Sequence, residues 1–528
     1  MEAGDLEYMI LPCFKERKKE MNKNKNKNVV ILFTDQQRYD SLGCNGNIHA
    51  ETENIDRLAQ DGCNFTRHLA ANSVCMPSRA SFLTGMYVPG HGVSSNGIPL
   101  WRRDNGCQDP NNWIAEHIFG EGVPDKIPTM ADYLLEEGYQ TAMLGKLHTE
   151  PSLADKSYGF RSCYDRWKEP ETEDITDSYY GFTYVKNVLG HGEAPCEYDH
   201  GHYGRWLHKN HPEVIEAIKE RRMEAGKKRP NMDMYLSKVP SELHNSMWLA
   251  DEACSYIDSH KEKDKPMFLF VGFPDPHHDF TPPEDFAERF LDIDVPEFSN
   301  PGEILGRKTK GADAFIKANH AAKDDIERAY KYTQASVSLV DKAVGKIINK
   351  LKADNLYDDT IIIFTADHGE MLGDYETLYK TDQPFYSLIH IPFILKPAKE
   401  QELPLIYTGP MSNVDVLPTL FAMLNLKKPQ YAQGVDVFKE GEGNMPMSTC
   451  YNLGGRNRNI SIYDASYRYT YVTDTGEEEL YNQVLDPHEY NNLAHQPMYR
   501  SFCEQMKFKV MKKHLECEHQ VFGHYGVW

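Results

Sequence analysis

The sequence predicts an α/β protein: a large mixed, mostly parallel sheet flanked by helices, with a smaller C-terminal α+β domain. Three observations predict it. Apolar runs of strand length recur far apart, long helical periodicity lies between them, and near the end the texture changes to short aromatic strands. With 528 residues the chain is long enough for two domains.

The first run is Asn28-Val29-Val30-Ile31-Leu32-Phe33-Thr34-Asp35, and similar runs cover 266–272, 360–367 and 391–395. Their apolarity is continuous, as in strands buried on both faces. A helix from Thr129 to Glu137, stopped by Gly138, precedes a strand over 141–144. Ile326, Tyr330, Thr333, Val337, Val340, Val344, Ile347 and Leu351 step by three or four, which predicts a long amphipathic helix ending before Asn355. Residues Met411 to Leu424 read as another apolar helix. Strands over 459–463 and 467–473, a turn at Thr475-Gly476 and a helix near 499–516 make up the tail.

Residues 160–240 are rich in Tyr, His, Gly and charge, with weak periodicity, and read as insertion loops over a site. The segment 22–28 alternates Lys and Asn, so 1–27 reads as a disordered leader in which Met21 is an equally good start. The expected domains are therefore this leader, a main α/β domain over 28–440 and a C-terminal α+β domain over 441–528.

A net charge of -21 and a pI near 5.5 argue against nucleic acid as the partner. An anionic substrate would have to meet a local cationic pocket. Eleven cysteines are scattered without CxxC pairs and read as mostly reduced, with no zinc site. The apolar stretch Met9 to Phe14 is too short for a signal-peptide core or a membrane span, so no membrane partner and a cytoplasmic location are expected.

The most informative string is Cys75-Met76-Pro77-Ser78-Arg79, a pattern expected by chance in roughly one chain per thousand of this length. Pro77 suits the first turn of a helix, which would put Cys75 at a helix N-terminus favouring an anion and Arg79 one turn on along the same face. Asp35 and Asp367 end two of the predicted strands, where ligands of open sheets bind. Taken singly, each has a bland reading: a buried thiol, a helix-capping carboxylate, a solvated Lys-x-His turn.

Together they resemble the type I sulfatases of the alkaline phosphatase superfamily. The resemblance spans roughly 29–440 and extends to Glu479-Leu480-Tyr481-Asn482 and Asp486-Pro487-His488-Glu489 in the tail. It implies that Cys75 is oxidised by a formylglycine-generating maturation enzyme, and that the hydrated aldehyde is the nucleophile. Thr34-Asp35-Gln36 and Ala366-Asp367-His368 resemble the two halves of the metal site. The implied ligands are Asp35, Gln36, Asp367, His368 and the oxygen of residue 75 around one divalent cation, calcium first, magnesium or manganese otherwise. Gln36 stands where an acidic residue is more frequent.

Gly145-Lys146-Leu147-His148 resembles the Gly-Lys-x-His motif, which implies that Lys146 contacts the sulfate and His148 acts on the hydroxyl of residue 75. In Pro276-His277-His278-Asp279-Phe280 the matching histidine is His277, implied to protonate the departing alcohol with help from Lys380, thirteen residues after Asp367. Arg79, Lys146 and Lys380 would neutralise the transferred group. His202 and Arg205, in the insertion, are the expected substrate contacts.

The implied activity is hydrolysis of a sulfate monoester, with a sulfated sugar or small molecule as partner. Two alternatives stay open: a phosphonate or phosphate monoester hydrolase of the same superfamily, and a non-catalytic sulfoglycan-binding protein should Cys75 stay a thiol.

Overall fold

The computed structural model describes residues 27–102, 126–172, 174–175, 178–228, 234–260, 264–296, 308–451 and 458–518. Except for Lys27, the expected leader lies outside them. The strands are β1 (Asn28–Thr34), β2 (Cys63–Phe65), β3 (His68–Leu69), β4 (Gln140–Gly145), β5 (Tyr184–Asn187), β6 (Met267–Phe273), β7 (Thr360–Ala366), β8 (His390–Ile391), β9 (Phe393–Lys396), β10 (Ile406–Tyr407), β11 (Met411–Ser412), β12 (Met447–Tyr451), β13 (Arg458–Tyr463), β14 (Tyr467–Val472) and β15 (Glu478–Asn482).

Eight of them form one sheet in the order β10-β2-β9-β7-β1-β6-β4-β5. All run the same way except β9, which is antiparallel to β7 and β2. Every residue of β1, β6 and β7 is buried, which is why these strands read as unbroken apolar runs.

Alternation along β1 divides the core in two. Val30 and Leu32 face a layer built by the helices Asn245–His260 and Lys323–Ala353, through residues such as Leu249, Val340 and Val344. Val29, Ile31 and Phe33 face a second layer containing the helices Cys75–Thr84 and Met130–Glu136. The second of these begins with a reciprocal cap: Asp132 Oδ2 accepts from Thr129 N (2.8 Å) while Thr129 Oγ1 accepts from Asp132 N (3.3 Å).

The tail is a four-stranded antiparallel sheet, β12-β13-β14-β15, with the helix Arg500–Cys517 packed on it. It is joined to the larger part by Lys308, whose Nζ reaches Tyr481 Oη (3.1 Å) and the Glu489 carbonyl (3.2 Å).

Three expectations differ. The stretch 411–424 is not one helix: Met411–Ser412 pairs with β3, a tight turn follows over Asn413–Asp415, and the helix runs Val416–Met423. The run 391–395 is split at Pro392, which cannot donate a ladder hydrogen bond, into β8 and β9 of different sheets. The stretch 160–240 holds edge strand β5 and helices Gly201–Asn210 and Pro212–Lys228 besides loops; the short β5 and the mixed polarity of these helices hid them.

Among the described residues, Cys44, Cys63, Cys75, Cys163, Cys196, Cys254, Cys450, Cys503 and Cys517 are free thiols, and no helix is long and apolar enough to cross a membrane.

Candidate active site

The parallel register of β1 and β7, Thr34 opposite Ala366, delivers Asp35 and Asp367 side by side at the carboxyl ends of the two central strands. The helix Cys75–Thr84 starts beside them and is buried along its whole length. Cys75 opens its first turn, where Pro77 has no N–H to leave unpaired. One ligand atom from each of Asp35, Cys75, Asp367 and His368 lies within 4.8 Å of the others, and all four residues are buried.

Two charge layers surround the sulfur. Lys380 Nζ donates to Cys75 Sγ at 2.9 Å, and His368 Nε2 lies 3.3 Å from it. Behind the carboxylates, Arg79 donates from Nε to Asp367 Oδ2 (2.8 Å), from Nη2 to Asp35 Oδ2 (3.0 Å) and from Nη1 to the Lys146 carbonyl (2.8 Å). Lys146 Nζ pairs with Asp35 Oδ2 at 2.5 Å. Burial would raise the Asp35 carboxyl, but Lys146, then Arg79 and Lys380, hold it well below the usual range. Burial and Asp35 push the Cys75 thiol up; Lys380, His368 and Lys146 outweigh them and lower it.

The Lys146 motif needs its glycine. Gly145 has φ +92°, and a Cβ there would stand 2.0 Å from the Gly272 carbonyl oxygen, against which β4 ends. His148 follows at φ +55° with a buried Nδ1 lacking a protein partner, and it forms no hydrogen bond to Cys75. His277 Nε2 accepts from Lys380 Nζ at 2.7 Å. Burial lowers both imidazoles well below the ordinary value, reinforced by His191 and Lys380 for His277 and by Lys146 and Arg79 for His148.

The donor set fits a hard divalent cation. Gln36 Nε2 donates to Glu370 and lies 2.8 Å from His278 Nδ1, which leaves Gln36 Oε1 buried without a protein partner. His368 Nδ1 is 2.8 Å from the Gly369 carbonyl, so Nε2 keeps its lone pair on the side of the carboxylates. Two carboxylates, an amide oxygen and an imidazole suit calcium, magnesium or manganese.

Two sequence expectations are corrected here. His202 and Arg205 do not line the cleft at the site. His202 is held by Asn187 Oδ1 (2.7 Å) and Asp174 Oδ1 (3.0 Å), and Arg205 by the carbonyls of Trp167 (2.9 Å), Glu169 (2.8 Å) and Thr172 and by the Trp167 ring. They tie the 160–240 stretch to itself. Arg79, expected on the transferred group, spends Nε, Nη1 and Nη2 on protein oxygens and orients both carboxylates. Glu370 and His278, which the sequence does not single out as site residues, join the site through Gln36, and His191 of the insertion lines the cleft. The strand-end string Asp367-His368-Gly369-Glu370 and the glycines flanking His191 were the available signals.

A cleft of about 850 Å³ opens beside Lys146, His148 and His191. An arylsulfatase from Clostridium perfringens is 24% identical to this chain, over 93% of it and 94% of the relative. An N-acetylgalactosamine-6-O-sulfatase from Bacteroides thetaiotaomicron is 24% identical over 92% and 94%. The solved phosphonate monoester hydrolase of Agrobacterium radiobacter shares the fold, with a TM-score of 0.65 at 21% identity over 94% of this chain and 97% of that one. The sulfatase family model matches residues 27–426, and this chain belongs to that family of sulfuric ester hydrolases.

Proposed function

We propose that the chain hydrolyses a sulfate monoester of a sugar, with residue 75 serving as formylglycine beside one divalent cation held by Asp35, Gln36, Asp367 and His368. The observation that carries this reading is the position of Cys75: first turn of a buried helix, 2.9 Å from Lys380 Nζ, in a cluster of carboxylate and imidazole donors. The likeness to the N-acetylgalactosamine-6-O-sulfatase supports a sugar as the alcohol. Residue 75 is only 1% exposed, so a maturation enzyme would have to oxidise it before the chain closes around it.

When bound, the cation would supply charge neutralisation and Lewis-acid polarisation of oxygen, and the hydrated aldehyde an oxygen nucleophile. The rest is the work of this chain's side chains. A sulfate ester repels nucleophiles with its own oxygens, so cations must face them while the nucleophile is held in line. Lys146 would do this from the cleft that it lines, and Lys380 from its place 2.9 Å from residue 75. Arg79 keeps Asp35 and Asp367 fixed and ionised.

Burial holds His277 low; its Nδ1 faces the His278 carbonyl and its Nε2 accepts from Lys380, so the proton shared between the Lys380 ammonium and Nε2 is the one available to the departing alcohol. His148, also neutral, is free to take a proton from the remaining hydroxyl of residue 75. A phosphonate or phosphate monoester hydrolase is the second reading, favoured by the amide Gln36 where an acidic residue is more frequent. Rates on sulfated mono- and disaccharides, an aryl sulfate and a phosphonate ester test both: a sulfate should be the fastest substrate, and a faster phosphonate would install the second reading.

A further inference from the structure

The cleft beside the site narrows the identity of the alcohol; this inference rests on the sulfatase reading above. At about 850 Å³ it is of the size that holds a ring or two. Its walls are built, not incidental. Buried Glu150 Oε2 accepts from the backbone N–H of Arg161 and of Ser162 and from the Ser162 hydroxyl, each at 2.9 Å, and Tyr164 N donates to the Ser152 carbonyl at 2.8 Å. This clamps a loop that presents Leu153, Tyr158 and Phe160 to the cleft, the two rings stacked at 6.1 Å and 10°.

A second segment brings Ile98 and is tied to the nucleophile helix through Asn96 Oδ1, which accepts from Met76 N at 3.0 Å. His191 stands between Gly190 (φ +92°) and Gly192 (φ +57°); a Cβ on Gly192 would come within 2.9 Å of Asp279 N. That backbone lays its imidazole on the His277 ring, with centroids 3.7 Å apart.

Charge is the decisive property of this wall. Of the described residues lining the cleft, Lys146 alone bears a full charge, and its ammonium is engaged by Asp35 at 2.5 Å. Burial holds His191 down to about 3 and His148 well below its ordinary value, so both rings are neutral near pH 7. A second sulfate or a uronate carboxylate seated deep in the cleft, against the buried Phe160, would leave water without gaining a counter-ion, which is costly; Leu153, Ile98 and Tyr158 form its exposed mouth. The net charge of -21 adds long-range repulsion against polyanions. Aromatic and aliphatic walls suit the apolar faces of sugar rings instead.

We propose that this cleft takes the alcohol and selects sulfated sugars whose rings carry no anionic group besides the transferred sulfate, with Ile98, Leu153, Tyr158 and Phe160 against ring faces and His191 on a hydroxyl. The test compares matched esters on formylglycine-bearing, metal-loaded protein: N-acetylglucosamine 6-sulfate against glucosamine 2-N,6-O-disulfate, and 4-acetylphenyl sulfate against 4-carboxyphenyl sulfate. The member of each pair with no second anionic group should have the higher kcat/KM by about tenfold or more, carried by KM, and Leu153→Lys should narrow the gap. Equal or reversed preference in the parent protein, or an unchanged gap in Leu153→Lys, overturns the proposal. Failure to hydrolyse any sulfate ester would instead strike the sulfatase reading. Binding then decides for the cleft: by saturation-transfer NMR, 4-nitrophenyl galactoside should bind more tightly than 4-nitrophenyl glucuronide, and the opposite order overturns it.

Discussion

Lys380 Nζ lies 2.9 Å from Cys75 Sγ, a contact closed across 305 residues of chain. The same ammonium lies 2.7 Å from His277 Nε2 and 3.1 Å from His368 Nε2. An ammonium has three protons, and here three acceptors surround it: the Cys75 sulfur, the His277 ring and the His368 ring. One side chain thus links Cys75, His277 and His368.

Lys380→Ala should therefore lower kcat by roughly a hundredfold or more on every sulfate ester, aryl and sugar alike, the scale of losing one transition-state charge contact. Steady-state kinetics on both substrate classes checks this. An effect confined to sugars would move Lys380 from the chemistry to substrate fit.

Asp367 Oδ1 accepts from Gln36 N (2.9 Å) and His368 N (2.8 Å), while Oδ2 takes Arg79. Asp367→Asn keeps this shape and removes one negative charge from the donor set. Bound metal, measured by inductively coupled plasma mass spectrometry after dialysis, should fall below one equivalent with the circular dichroism spectrum unchanged. Either change leaves the buried Arg79 with Asp35 as its only carboxylate partner; Asp367→Ala also removes the oxygen that accepts from Gln36 N and His368 N, and should cost about 3–5 kcal/mol of stability.

Arg205 is bonded to backbone carbonyls and to the Trp167 ring, away from the cleft. Arg205→Ala is expected to lower stability by roughly 1–3 kcal/mol in denaturant melts. The ranking among sulfated sugars should not change.

His68 is fully buried, stacked on Phe393 at 4.4 Å, and neither ring nitrogen has a partner. Burial, then His390, lowers it from 6.5 to about 3. Between those values the unfolded chain binds a proton that the folded one does not, so this contribution to stability is intact above pH 6.5 and is lost as the pH falls toward 3. His68→Phe removes it. The variant should gain about 2 kcal/mol on the parent between pH 7.5 and pH 5, read from paired melts at the two values; an offset that does not change with pH would show that His68 titrates alike in the folded and unfolded chains.

Much of this was legible in the sequence for a definite physical reason. Strands β1, β6 and β7 are buried on both faces, so their apolarity is unbroken. The helix Lys323–Ala353 is long enough for its periodicity to stand out. Metal and nucleophile candidates sat at strand ends and in short strings whose order survives in one dimension. What stayed hidden depended on partners far away in sequence. Arg79 reads as a cation for the substrate until Asp35, Asp367 and the Lys146 carbonyl are seen to occupy it. His202 and Arg205 looked like pocket residues because Tyr- and His-rich stretches resemble binding loops, whereas they close the fold locally. Edge strand β5 has four residues, too few to show a period.

The central claim is that residue 75 reacts as formylglycine, and peptide mass spectrometry of active protein tests it most directly. The account predicts that the peptide containing residue 75 carries formylglycine or its hydrate, and that specific activity across preparations scales with that fraction. Fully active protein in which residue 75 is cysteine throughout would contradict it.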